Sequence, residues 1–434
     1  MISNFPRAAV AATGDDSGIG RASVARRRRA VMLVVCMCAV GRCGMAPTPA
    51  PARATESLVS RVDAAIDRAL TEKRIVGAVV LVARDGRVVY HRAAGLADRE
   101  TARPMREDAV FRLASMTKPI VSAAALVLVE QGKLGLDDPV TRWLPDFRPR
   151  LDDGREPTIA VRQLLTHTAG LSYGFLETQN GPYHRARVSD GLDQPGRSAT
   201  DNLRRIASVS LAYPPGSAWR YSVATDVLGE VVARAGGKPL PEVVATLVTG
   251  PLGMNDTAFT VRDASRLAVP YADGAAGPVR MGETQLVPFG SGEGFRYSPG
   301  RVFDPASFPS GGAGMVGTAS DFLVFLEALR TGGGAVLKPD TTRSMTTSQT
   351  GTLTGVADGP GWGFGFGMAV LTDPATARSP HSVGTFKWGG AYGHNWFVDP
   401  VRRLTVVILT NTAVEGMSGR FPTEVRDALY SGQP

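Results

Sequence analysis

A serine and a lysine three residues apart, Ser115 and Lys118 in "FRLASMTKPI", open an apolar run that reads as a helix. At that spacing both side chains share one helical face. A serine hydroxyl becomes a nucleophile when a neighbour takes its proton, and a lysine in a dry setting can lose its charge and act as that base. Arginine stays protonated and cannot. Arginine fills 42 of the 48 basic positions, so a lysine on an apolar helix is not this chain's routine positive charge. Acyl transfer also needs a group that protonates the leaving atom, and Tyr221 in "WRYSVATDVLG" stands at the front of another helical stretch. Two N–H donors must face the oxyanion. The Ser115 N–H can be one; the glycine-rich strand "KWGGAYG" (387–393), where backbone can approach a ligand closely, can supply the other. Taken singly these features stay ambiguous. Ser115 also reads as an N-cap, Tyr221 as core packing, and Trp388-Gly389-Gly390 carries no message alone.

A second serine competes. Gly170-Leu171-Ser172-Tyr173-Gly174 spells G-x-S-x-G, a pattern with physical content only where a strand enters and a helix leaves. Here the approach "TIAVRQLLTHT" has helical spacing, and the exit "FLETQNGPYHRAR" is polar and punctuated by Gly and Pro. Ser172 is therefore read as a loop serine.

The elements that must carry these groups follow from periodicity. "TESLVSRVDAAIDRALTEK" (55–73) is amphipathic, with Thr55 as its expected cap. "VGAVVLVARDGRVVYHRAAG" (76–95) is two β-branched runs joined at Asp85-Gly86, a hairpin signal. Residues 115–134 are apolar nearly all round, which predicts a buried helix. A helix over 221–237 ends at a glycine pair, and Thr318 with Asp321 forms a capping-box pattern before the helix over 318–333. Strands are expected at 361–371, 385–390, 393–400 and 404–411, then a C-terminal helix. Helix and hairpin at one end, strands and helix at the other, predict an α+β fold with one antiparallel sheet built from both termini. Residues 55–134 and 311–434 would form the sheet-containing lobe, and 135–310 a mainly helical second lobe.

Composition removes other classes. The net charge of +8 is concentrated in residues 1–54, which hold eight Arg and two Asp. The remainder carries 40 basic and 38 acidic side chains, so the case for a nucleic-acid partner fails. Arg26 to Arg29 precede "AVMLVVCMCAV", an apolar run too short to span a bilayer, with Ala52 and Ala54 beyond it. Residues 1–54 are read as an export leader, making the protein periplasmic or secreted; a misplaced start would leave it cytoplasmic. All three cysteines (Cys36, Cys38, Cys43) fall in this leader, and no two of the five histidines have metal-binding spacing. No cofactor or metal is expected. "GAGMVG" (312–317) formally matches a dinucleotide loop, but the "FDPASFPSG" before it is no strand.

In this order, S-x-x-K, the helix-opening tyrosine and W-G-G resemble the serine β-lactamase and penicillin-binding-protein superfamily, most closely its family VIII carboxylesterases. The resemblance extends over essentially the whole body and includes "GLADRE", "RPMRED", "VTRWLP", "LLTHT", "SGGAGM", "GWGFG", "WGGAYGH" and "EGMSG". It implies a β-lactamase/transpeptidase-like fold, with Ser115 as nucleophile, Lys118 as its activating partner and Tyr221 as proton shuttle. It also implies that Gly389, Gly390 and Ala391 form the strand edge, with the Ala391 N–H as second oxyanion donor. The expected activity is hydrolysis of short-chain carboxylic esters, with a small-molecule ester as the partner. Acyl transfer to an alcohol, β-lactam hydrolysis, and non-turnover sensing on the same scaffold are the alternatives. Two departures bear on these. Val223 stands where lactamases have the Asn of Y-x-N, and Trp388 where they have the cation of K-T-G. Lys387, one residue off, should point to the other sheet face. Trp388 is expected to offer an apolar surface to an ester arm.

Overall fold

The computed structural model describes residues 57–193 and 196–431. The leader expected over 1–54 and its export role lie outside these residues, as does Thr55. Helix α1 (Leu58–Thr71) is capped instead by Ser57, whose hydroxyl accepts from the Ser60 N–H at 3.1 Å.

Both termini do build one sheet. Its strands are β1 (Gly77–Arg84), β2 (Arg87–Asp98), β3 (Arg103–Pro104), β4 (Trp362–Phe364), β5 (Ala369–Leu371), β6 (Phe386–Gly390), β7 (His394–Asp399) and β8 (Leu404–Thr410), in the order β4-β5-β6-β7-β8-β1-β2-β3. Every pairing is antiparallel. The central strands are apolar on both faces because both are covered. Along β1, Val80 and Val82 face one core with α1 and α5 (Arg420–Tyr430), while Val79 and Leu81 face the larger core. Burying each of these side chains stabilises the fold by about 1.5–3 kcal/mol. The β1–β2 turn has Asp85 at φ 54° and Gly86 at φ 77°, the left-handed pair a two-residue hairpin requires.

The buried helix begins later and ends earlier than its apolar run. A 3-10 turn (Ala114–Met116) precedes α2 (Thr117–Glu130), and every α2 residue through Leu128 is buried. Tyr221 lies in irregular chain just ahead of α3 (Ala224–Gly236), which Gly237 ends at φ 66°. Helix α4 (Ala319–Arg330) realises half of its capping box: Thr318 Oγ1 accepts from the Asp321 N–H. The Asp321 carboxylate turns away to the Asp256 N–H and the Thr257 hydroxyl, each at 2.9 Å.

One expected strand is a hairpin. Residues 361–371 divide into β4 and β5, reversing between them, with Gly367 at φ 94°. The W-G-F-G-F-G alternation runs straight through the reversal, so period-2 reasoning cannot see it. The tip packs on α2, where a Cβ on Gly367 would come 2.5 Å from Ser122 Oγ. Between α3 and α4 the chain also forms small hairpins, among them Gln285–Val287 with Phe295–Tyr297.

Candidate active site

Ser115 sits in the 3-10 turn at the mouth of α2, partly accessible among buried neighbours. The turn is held from both sides. Phe111–Arg112 pairs with Val316–Gly317, the Leu113 N–H donates to the Met315 carbonyl at 2.8 Å, and the Met315 N–H donates to Thr117 Oγ1 at 3.1 Å. Ala114 takes φ 46°, a left-handed conformation that costs a non-glycine residue roughly 1–3 kcal/mol. That strain is tolerated where surrounding contacts over-determine the backbone, as they do here.

Lys118, one helical turn on, is completely buried. Its Nζ lies 3.1 Å from Ser115 Oγ and donates to the Gly312 carbonyl at 2.8 Å. Loss of solvation pushes its pKa down to about 7, against the pull of the Asp226 and Asp190 carboxylates. Near neutral pH a large fraction is thus a neutral amine with a lone pair to offer. The Tyr221 hydroxyl donates to Ser115 Oγ at 2.7 Å from the other side. Burial pushes the Tyr221 pKa up, so it remains a phenol and a donor. The Tyr221 ring is wedged between His167 (centroids 4.9 Å apart), Tyr173 (5.0 Å) and Trp388 (5.1 Å).

Strand β6 approaches the same turn. A Cβ on Gly390 would fall inside contact distance of the Leu113 carbonyl, so glycine is what lets this edge reach the Ser115 turn. Ala391 follows; its carbonyl accepts from the Tyr297 hydroxyl at 2.7 Å, and no group among the described residues accepts from its N–H. Trp388 does more than offer an apolar wall: its indole N–H donates to the Tyr221 oxygen at 3.2 Å. Gly389 pairs with Asn395 in the sheet. Lys387 points to the other face, ion-paired with Asp358 and lying 4.4 Å from the centre of the Trp362 ring. Val223 is fully buried at the α3 N-cap.

Ser172 has neither an entering strand nor an emerging α-helix. A three-residue 3-10 turn (Gly174–Leu176) follows it. It is buried, its N–H donates to the Tyr183 hydroxyl at 2.9 Å, and its own hydroxyl reaches only the Tyr173 carbonyl at 3.4 Å. The segment's contribution to the site is the next residue, Tyr173, whose ring centre is 5.3 Å from Lys118 Nζ. Sequence reasoning missed Tyr173, Asp226, Asp190 and Gly312. Tyr173 had a signal, as the neighbour of the competing serine. Asp226 had none, because an acid in the first turn of a helix reads as a partner for the helix dipole. The glycines of "GAGMVG" serve close packing: a Cβ on Gly312 would lie 2.5 Å from Asp226 Oδ2 and 3.1 Å from the Tyr173 hydroxyl. Among the described residues no group of three or more His, Cys, Asp or Glu could hold a metal ion, and no helix is long and apolar enough to cross a membrane.

The sequence profile of the beta-lactamase family matches residues 62–429. Esterase EstB of Burkholderia gladioli is 53% identical over 377 residues, which cover 86% of this chain and 96% of EstB. Lovastatin esterase of Penicillium rubens is 28% identical over 376 residues, covering 78% of this chain and 89% of that enzyme. Among solved structures, EstCE1, described as a hydrolase with promiscuous acyltransferase activity, superposes with a TM-score of 0.81 at 48% identity, covering 86% of this chain and 98% of EstCE1.

Proposed function

The chain belongs to the beta-lactamase family, and on that premise we propose that it is a serine carboxylesterase of the family VIII type, cleaving short-chain esters through an acyl-enzyme on Ser115. The observation that carries this reading is the convergence of Lys118 Nζ and the Tyr221 hydroxyl on Ser115 Oγ, at 3.1 and 2.7 Å. Neutral Lys118 takes the Ser115 proton as Oγ attacks the ester carbonyl. The oxyanion lies against the Ser115 and Ala391 N–H groups. As the tetrahedral intermediate collapses, Tyr221 gives its proton to the departing alkoxide and regains one from protonated Lys118. Water repeats the sequence in reverse, releasing the acid and restoring Ser115. General acid–base catalysis of this kind contributes roughly 10²–10⁴-fold to the rate. The test is turnover of a p-nitrophenyl acetate-to-decanoate series. Ser115→Ala abolishes it, Ser172→Ala keeps most of it, and the shortest acyl chains are cleaved fastest. Loss of activity in Ser172→Ala alone would reverse the assignment.

A second reading, acyl transfer to an alcohol, is favoured by the similarity to EstCE1. It uses the same acyl-enzyme, and added short alcohols would divert product from acid to ester. Export is also part of the proposal, resting on the arginine run and short apolar segment of residues 1–54. N-terminal sequencing of native protein should find a start near Thr55; an intact Met1 in the cytoplasm refutes it.

A further inference from the structure

The buried carboxylate of Asp226 has no part in the proton transfers above, yet it stands directly behind them. Oδ1 accepts from the Ser310 hydroxyl at 2.5 Å and from the Gly312 N–H at 3.3 Å, while Oδ2 is buried without a hydrogen-bond partner among the described residues. Ser310 Oγ, itself fully buried, also accepts from the Ala313 N–H at 2.9 Å. Two of these bonds tie the 310–313 turn to α3 through Asp226, and the third, from the Ala313 N–H to Ser310 Oγ, closes the turn on itself. The glycines permit the closeness: a Cβ on Gly311 would collide with the Thr225 carbonyl, and one on Gly312 with Asp226 itself. The same turn carries the Gly312 carbonyl, which accepts a hydrogen bond from Lys118 Nζ at 2.8 Å. An amine held by one N–H has only two ways left to aim its lone pair, so the acceptor's position decides whether that lone pair meets Ser115.

We propose that Asp226 is a positioning residue: through Ser310 and the Gly312 amide it locks the turn whose carbonyl aims Lys118 at Ser115. The role belongs to the hydrogen bonds and not to the charge, so an amide of the same shape preserves it. Asp190, Arg301 and Lys118 face Asp226, and Tyr173 and Tyr221 face Lys118; none of these is altered in the variants below. The inference rests on the reading of Ser115 and Lys118 as the reacting pair. If the parent enzyme cleaves no ester, or Ser115→Ala still does, that reading fails and not this one.

The experiment compares Asp226→Asn, Asp226→Ala and Ser310→Ala, each measured for kcat and KM on p-nitrophenyl acetate and for the rate of phosphonate labelling of Ser115. Asp226→Asn should stay within about threefold of the parent, while Asp226→Ala loses roughly tenfold or more in kcat and in labelling rate with KM nearly unchanged, the scale of buried hydrogen-bond partners left unsatisfied. Rescue by the amide and a loss confined to kcat are outcomes that mere loosening of the core would not give. Should Asp226→Ala fail to fold, Ser310→Ala still tests the lock through a loss of roughly fivefold in kcat. The proposal is overturned if Asp226→Ala or Ser310→Ala matches the parent in kcat, or if Asp226→Asn falls as far as Asp226→Ala.

Discussion

At Ser115 Oγ two groups of opposite character meet, and burial makes them opposite. It lowers Lys118 to about 7 and raises Tyr221, so the amine can accept a proton while the phenol keeps its own. Activity should therefore titrate with an acid limb near pH 7. As pH falls through that value Lys118 gains a proton, loses its lone pair, and kcat/KM drops towards tenfold per unit; a profile flat from pH 8 to pH 5 would exclude Lys118 as the base. The groups around Lys118 that set this value are Asp226 and Asp190, which raise it, with His167, Tyr173 and Tyr221 packed beside it. Burial holds His167 well below its ordinary value, so it stays neutral through this range. Lys118→Arg should be nearly as damaging as Lys118→Ala, about 10²–10⁴-fold in kcat, because guanidinium keeps the charge but cannot accept the proton. An Arg variant with most of its kcat would mean a purely electrostatic role. Trp388→Phe keeps an aromatic ring but is smaller and removes the N–H on Tyr221; about tenfold lower kcat with a lowered Tm is expected from steady-state kinetics and thermal melts. This indole bond could not be read from "WGG", since nothing in a strand's sequence says which distant phenol its side chain meets.

Elements bring these residues together by close backbone approach, and glycine is the recurring means. Gly390 lets β6 touch the nucleophile turn, and Gly367 lets the β4–β5 hairpin seat on α2. Gly390→Ala should push the strand from Leu113, lowering Tm and kcat together at a cost of about 1–3 kcal/mol, as overpacking does. An Ala variant with unchanged Tm and kcat would show that the edge has slack. Asp85-Gly86, the strands around 393–410 and the helix over 221–237 were predictable because their signals are local. The β4–β5 reversal was not, because its cause is the contact with Ser122 across the core. The Thr318–Asp321 pattern was half right for the same reason: tertiary partners at Asp256 and Thr257 claim the Asp321 carboxylate. Lys118 stood out as a lysine on an apolar helix, and Ser115 and Tyr221 gained weight only from their order with it and the family resemblance, whereas Asp226 and Gly312 acquire meaning only once α3 and the 310–313 turn are side by side.

Across the whole molecule, the sheet joins both ends of the chain, so β1 from the N-terminal part and β6 to β8 from the C-terminal part flank one core. That core supports the Ser115 turn at the mouth of α2 and the Ala391 edge at the end of β6, elements more than 250 residues apart in sequence. The same arrangement disfavours β-lactams. Lys387 is committed to Asp358 on the far face, Val223 is buried, and Trp388 turns its N–H to Tyr221, so no side chain at these positions is left to hold a lactam carboxylate. A chromogenic cephalosporin should be opened with kcat/KM about 10- to 150-fold below the best ester, the effect of losing a charge-assisted bond of roughly 1.5–3 kcal/mol. Equal values would sink the esterase preference. Which serine carries the acyl group is open to one direct measurement. The protein is treated with a fluorophosphonate ester, digested, and the adduct located by mass spectrometry. The adduct is predicted on Ser115, formed in step with loss of p-nitrophenyl acetate hydrolysis and absent from Lys118→Ala; an adduct on Ser172, or inactivation with Ser115 unmodified, would contradict it.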